Sequence, residues 1–281
     1  MTVTIPAAAV AIPPSRRTPP SLRALAYWTY TAVKTWRLAF AANVANPVLY
    51  LAAMGLGLGS LVDAAHASHP AARPPAGLGT HGYLSFLAPG LLAATVLQSA
   101  VAEATYPVLG GFKWNRTYDA MLATPLSVTD VLRGHLAFIV GRTTAVGAIF
   151  LAVMTAFGTV PSPLGLLCLP VIAVLATGSA ALTAALAATV VHEAWFPVVF
   201  RLVVVPLFLF SGTFVPLQQL PAWVHPVAYA TPLWHAVELT RGACAGRLGL
   251  AASLGHAAYL LVLAGAGYLL VRRAFLRKLS S

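Results

Sequence analysis

Apolar and polar positions fall in long blocks along this chain. Six predominantly apolar segments, at 38–62, 83–105, 134–159, 165–190, 197–215 and 250–271, are separated by polar joints. Each is close to the ~20 residues that cross the hydrocarbon core of a bilayer as a helix. Helices are required because lipid offers no partner to an open backbone N–H or C=O. The pattern therefore predicts an all-α integral membrane protein with six transmembrane helices and a membrane domain at 38–271. In front of it, Arg23, Tyr27, Tyr30, Lys34 and Arg37 recur at steps of four and three. Leu22, Leu25, Thr29, Ala32, Val33 and Trp36 fill the opposite stripe. That spacing predicts an amphipathic interfacial helix over 21–37, with the wet start of the first span as the plainer alternative.

Composition agrees with the pattern. Of 281 residues, 59% are hydrophobic and only 8% charged, against about 25% charged in a soluble domain. The net charge of +11 sits at the ends of the apolar segments, which points to orientation and anionic lipids rather than nucleic acid. With both termini inside, the inner joints hold twelve Lys and Arg (Arg16, Arg17, Arg23, Lys34, Arg37, Lys113, Arg116, Arg133, Arg272, Arg273, Arg277, Lys278) and the outer joints three (Arg73, Arg241, Arg247). The positive-inside rule then places both termini in the cytoplasm. Residues 1–20, rich in proline, are expected to be a disordered tail, and 272–281 a basic cytoplasmic tail. The outer loop 63–82 carries His66, His69 and His81 with little other ligand chemistry, so no metal site is expected. Cys168 and Cys244 make no metal spacing and no expected disulfide.

The polar joints carry the informative local signals. Between the second and third segments, 115–123 has room for about two helical turns. Thr124-Pro125 ends it, because proline disfavours helical geometry in the residue before it. Ser127 and Asp130 then resemble a capping box. A short helix on the basic side is either a docking element for a soluble protein or a plain solvated turn; spacing alone admits both. The joint at 191–196, with Glu193 and Trp195, is either a second small contact or a tight turn. After the fifth segment, Ser211-Gly212 and Pro216 break the helix. Thr231-Pro232 then caps a new helix that Gly242 is expected to close, with Glu238 within reach of Arg241. Two short outer helices rich in Trp and Tyr result, as gate elements or as an aromatic belt.

KWNRTYDAMLATPLSVTDVL at 113–132 resembles the cytoplasmic-loop signature of type-2 ABC exporter permeases. The branch is that of the nodulation lipo-oligosaccharide and daunorubicin-type drug exporter permeases. FLAPGLLAATVLQSAVAEATY at 86–106 is similar to its second span. LFSGTFVPLQQLPAWVHPVAYATPLWHAVELTRG at 209–242 is similar to its region after the fifth. Gly134-His135 departs from the Gly-Glu of the nodulation-like branch. The resemblance implies a dimer, homodimeric or with a closely related permease, in the bacterial inner membrane, each subunit engaging a cytoplasmic ABC ATPase. It makes 21–37 the connecting helix and 115–123 the coupling helix, with Trp114, Arg116, Thr117, Asp119, Met121, Leu122 and Glu193 as coupling residues. Met121, apolar in a polar loop, is expected to enter the ATPase cleft. ATP and magnesium belong to the partner, since this chain has no GxxxxGK[ST] loop. The cargo is a hydrophobic or amphipathic molecule such as a drug or glycolipid.

Charges inside apolar segments are expensive and so mark candidate sites. Glu103, Arg142 and Arg201 are such residues, as pathway elements or as structural pairs near the inner surface. Phe214, Trp234 and Glu238 join them as candidate gating residues in the outer motif. No nucleophile–base set is legible among six scattered acids, so no catalytic residue is assigned. An ion-coupled secondary transporter and a lipid-modifying membrane enzyme remain as alternatives. The first would need mid-span ionisable residues and inverted repeats, and the second a reactive cluster.

Overall fold

The computed structural model describes residues 19–33, 45–54, 57 and 82–279, and every regular element among them is helical. Helix α1 spans Pro20–Val33. α2 (Gly82–Glu103) and α3 (Tyr106–Lys113) follow, separated by a brief turn at Ala104-Thr105. The short α4 (Thr117–Leu122) leads into α5 (Val128–Ala156). A 3-10 turn at Pro163–Leu167 precedes α6 (Cys168–Thr189). α7 runs over Trp195–Phe210, then come α8 (His225–Tyr229), α9 (Pro232–Ala245) and α10 (Leu250–Leu279).

Four of these stretches, Gly82–Lys113, Val128–Ala156, Pro163–Thr189 and Leu250–Leu279, are long and apolar enough to cross a membrane. The first apolar segment of the sequence lies mostly outside the described residues, although Leu51 from it is buried in the core. The loop with His66, His69 and His81 lies outside them altogether. The fifth segment forms a shorter apolar helix than expected. Its middle turn, Phe200–Val204, is a π-helix, followed at once by Pro206. Proline has no N–H to give the preceding turn, and the wider turn absorbs that break.

The helices meet along small residues. A Cβ on Gly147 would lie 2.3 Å from Ile172 of α6, and one on Gly267 of α10 only 3.3 Å from the Gly178 carbonyl of α6. Without a hydrophobic drive between helices in lipid, such close backbone approach supplies the packing. Outward, α10 exposes Leu254, Leu261, Val262, Leu269 and Leu270, and α7 exposes Leu202, Val203, Leu209 and Phe210. Apolar surface on this scale suits a bilayer or a partner subunit rather than water.

Two local expectations change. In α1 the inward stripe is Ala24, Leu25, Trp28 and Ala32, while Leu22 and Val33 are exposed. The stripe turns because α1 lies against α5 at Gly134, where a Cβ would fall 2.5 Å from Ala24 Cβ. α9 does not stop at Gly242 but runs to Ala245, closed by Gly246 at φ 69°. Gly242 keeps helical geometry and faces Leu248, whereas Gly246 takes the left-handed conformation that ends a helix. Beyond the sixth apolar segment, the basic residues from Arg272 continue α10 to Leu279, and Phe275 among them is buried against Phe112 and Tyr118.

Candidate functional site

The region around α4 is built from two helix ends and a reversal. Trp114 and Asn115 both donate backbone N–H to the Gly110 carbonyl, closing α3. Arg116 then adopts φ 45°, a left-handed conformation unusual for a side-chain-bearing residue. That single residue folds α4 back across α3. Tyr118 then lies over Gly111, where a Cβ would come within 2.6 Å of the phenol ring. Ser127 and Asp130 make both hydrogen bonds of the expected capping box at the start of α5.

Inside this fold-back is an aromatic cluster. Tyr118 is fully buried, and its hydroxyl and His135 Nδ1 are joined by a hydrogen bond of 2.7 Å. The His135 ring stacks on Trp28 of α1 at 3.9 Å with a 7° interplanar angle. Phe112 of α3 and Phe275 of α10 meet Tyr118 edge-on at 4.6 and 5.3 Å. Burial holds the Tyr118 phenol well above its usual pKa, so it stays neutral. One residue of α4 is thus tied to four other helices. Trp28, Tyr118 and Phe275 were not singled out by sequence reasoning, and His135 was noted only as a departure from a family pattern. The spacing of Tyr118 and Met121, one helical turn apart, was the available signal for an inward face.

Met121 shares that face. It is 8% exposed and packs into the core, so it does not project from the loop as expected. The reason is the six-residue length of α4: its single buried stripe consumes Tyr118 and Met121 together. Thr117 and Leu122 are half-buried, while Trp114, Arg116 and Asp119 are exposed. Trp114 exposes 56% of its surface. Beside it, Glu193 and Trp195 are exposed on the joint between α6 and α7, with Trp195 at 57%. The two joints are linked, because Lys113 Nζ donates to the Val191 carbonyl. Six of the seven sequence-predicted coupling residues therefore have side chains wholly or partly at the surface of these two joints, and Met121 does not. A groove of about 480 Å³ runs between α1 and α4, lined by residues that include Tyr27, Thr117, Pro125 and Leu126.

The candidate pathway residues form separate groups. Glu103 of α2 and Arg142 of α5 pair at 3.2 Å, both partly exposed. Arg201 is exposed on α7 and is not brought to them. At the opposite end of the molecule, the 211–214 loop collects the rest. The Phe214 carbonyl accepts from Tyr83 Oη at 3.1 Å, and a Cβ on Gly212 would lie 3.8 Å from Trp234 Cδ1. Glu238 pairs with Arg241 at 3.2 Å. Arg241 is the keystone that sequence reasoning saw only as a helix pair. Its Nε donates to the Phe86 carbonyl at 3.3 Å and its Nη2 to the Gly212 carbonyl at 3.0 Å, and its guanidinium lies 3.9 Å over the Phe86 ring. It thereby joins α2, the 211–214 loop and α9. Lysine cannot span three acceptors in a fork. Arg241→Lys is expected to cost about 1.5–3 kcal/mol, as for hydrogen bonds to a charged group. Thermal unfolding in detergent would read this, and an unchanged midpoint would show the fork to be dispensable.

Among the described residues no group of three or more His, Cys, Asp and Glu gathers in a way that could hold a metal ion.

The comparisons with known proteins meet this geometry. The family model described as ABC-2 type transporter matches residues 22–244, from α1 to the end of α9. Nodulation protein J of Rhizobium leguminosarum bv. viciae is 30% identical over 233 residues, covering 79% of this chain and 82% of the relative. Its counterpart from Rhizobium leguminosarum bv. trifolii is 31% identical over 224 residues, with 79% and 80% covered. That of Rhizobium meliloti (strain 1021) is 28% identical over 227 residues, with 77% and 79% covered. The match takes in both the α4 fold-back and the 211–244 region, so this chain, a multi-helix membrane permease, belongs to the ABC-2 type transporter family.

Proposed function

We propose that this chain is the permease subunit of an ATP-driven exporter, and that a separate cytoplasmic ATPase docks on the two linked joints around α4. The carrying observation is the pair of exposed tryptophans, Trp114 and Trp195, at two joints fastened together by the Lys113–Val191 hydrogen bond. Large exposed aromatics on a braced surface are the residues that dominate protein interfaces. Closure of the ATPase pair around ATP and magnesium would push on α4. Because Tyr118 is locked to α1, α3, α5 and α10, the push would move those helices as one body. The two permease subunits of a dimer would then part or close around a hydrophobic or amphipathic cargo, such as a drug, glycolipid or lipo-oligosaccharide. In this reading α4 and both termini lie on the cytoplasmic side of the inner membrane, and the excess of Lys and Arg at the inner joints supports that orientation.

The test is recovery of the complex. Trp195→Ala is expected to cost about 2 kcal/mol or more in docking, roughly thirtyfold in affinity. Arg116→Glu should weaken docking as well, with a stronger effect at low salt. Met121→Asp, in contrast, should unfold the α4 region rather than act at the surface. Full ATPase recovery with both Trp195→Ala and Arg116→Glu would remove this surface from the mechanism.

A further inference from the structure

The chain has two cysteines, 76 positions apart, and the fold brings them into contact. Cys168 opens α6 and Cys244 lies in the last turn of α9, with their sulfurs 3.7 Å apart. Both are buried and both stand as thiols in this structure, with Cys168 Sγ–H donating to the Thr240 carbonyl at 3.6 Å. The surrounding backbone holds this register. Gly246 caps α9 in a left-handed turn, and a Cβ there would lie 3.0 Å from Ser162 Oγ, just ahead of α6. The end of α9 is therefore seated against the start of α6 before any covalent bond is considered.

We propose that Cys168 and Cys244 form a disulfide that fastens the end of α9 to the start of α6. The proposal rests on the orientation given under the proposed function, which puts this end of the molecule outside, where thiols are exposed to oxidants. A disulfide needs about 2.05 Å between sulfurs, so one cysteine side chain must turn about its Cα–Cβ bond or the two helix ends must close slightly. The oxidant is a small-molecule or protein disulfide, R–S–S–R. Local opening at the exposed residues 245–247 uncovers Cys244, and its thiolate attacks one of the reagent's sulfurs and expels R–S⁻. The Cys168 thiolate then attacks Cys244 Sγ in the mixed disulfide and expels the second R–S⁻. The two thiols give up two electrons and two protons, and the reagent leaves as two R–SH. The cross-link makes the C-terminal end of α9 a fixed post, so that movement of the outer helices is confined to the Thr231 end.

The full-length chain in native membranes provides the test. Free thiols are blocked with N-ethylmaleimide under denaturing conditions, the disulfide is reduced with a phosphine, and new thiols take a mass-tagged maleimide. Two tags are expected on the native chain, and none on Cys168→Ser or Cys244→Ser. No tag on the native chain overturns the cross-link. A parallel labelling of Ala245→Cys in the Cys168→Ser/Cys244→Ser background then separates the causes. Labelling from outside leaves the orientation standing while the cross-link falls; labelling from inside removes both.

Discussion

Replacing Gly134 with valine is expected to detach α1 from the membrane helices. A Cβ at this position would sit 2.5 Å from Ala24 Cβ, 2.8 Å from the Leu25 backbone nitrogen and 2.9 Å from the Ser21 carbonyl oxygen. Two of those atoms are backbone and the third is the only side-chain carbon of an alanine, so none can swing aside. Overpacking of a fitted contact costs about 1–3 kcal/mol and occasionally more. Gly134→Ala already enters that range, and the branched valine should exceed it. Once α1 lifts, Trp28 leaves His135 and the aromatic cluster opens to solvent. The matched control is Gly141→Ala on the same helix, where a Cβ would have nothing within 4 Å. It should be neutral or slightly stabilising, since alanine is the better helix former by about 1 kcal/mol. Thermal unfolding of both variants and protease access to α1 provide the comparison. Equal behaviour of Gly134→Val and Gly141→Ala would mean that α1 does not rest where the structure puts it.

The second large effect is expected at His135. His135→Ala strands the buried Tyr118 hydroxyl, at about 1–3 kcal/mol, and removes a stacked ring pair worth about 0.5–1.5 kcal/mol. Tyr118→Phe keeps every ring but leaves the buried His135 Nδ1 without its partner, so its cost should fall within the first range alone. Replacing both partners together, as in Tyr118→Phe/His135→Leu, leaves no stranded polar atom. It should therefore be less destabilising than the sum of Tyr118→Phe and His135→Leu alone. Strict additivity in that cycle would show that the 2.7 Å contact contributes nothing. In the proposed complex with an ATPase, the same variants should lower transport per ATP hydrolysed, because the proposed push on α4 would no longer reach α1 and α5 together.

His135 makes two contacts that a carboxylate in its place could not combine. The residue after Gly134 is an aromatic base. Its ring can both stack on Trp28 and share a hydrogen bond with Tyr118. A carboxylate could keep the hydrogen bond but not the stack.

Much of this molecule was legible along the chain because local chemistry enforces it. Long apolar blocks must become helices in a medium without hydrogen-bond partners. Ser127 and Asp130 cap α5, and Thr231-Pro232 starts α9, through contacts three residues apart or fewer. The motif at 113–132 located α4 for the same reason, and most of its polar residues do reach the surface. Other features depend on partners distant in sequence, and no period or spacing encodes them. Met121 turned inward because α4 is folded over α3 by Arg116. Arg241 became a three-way tie because carbonyls 155 and 29 residues away lie within its fork. Trp28 met His135 because two small residues, Ala24 and Gly134, let their helices touch. Cys168 and Cys244 looked unrelated until α9 lay across α6. Helix content and insertion follow from the solvent each segment can tolerate, a property of the segment alone. Which side chains meet follows from where helices cross, and that is set by the joint packing of all of them.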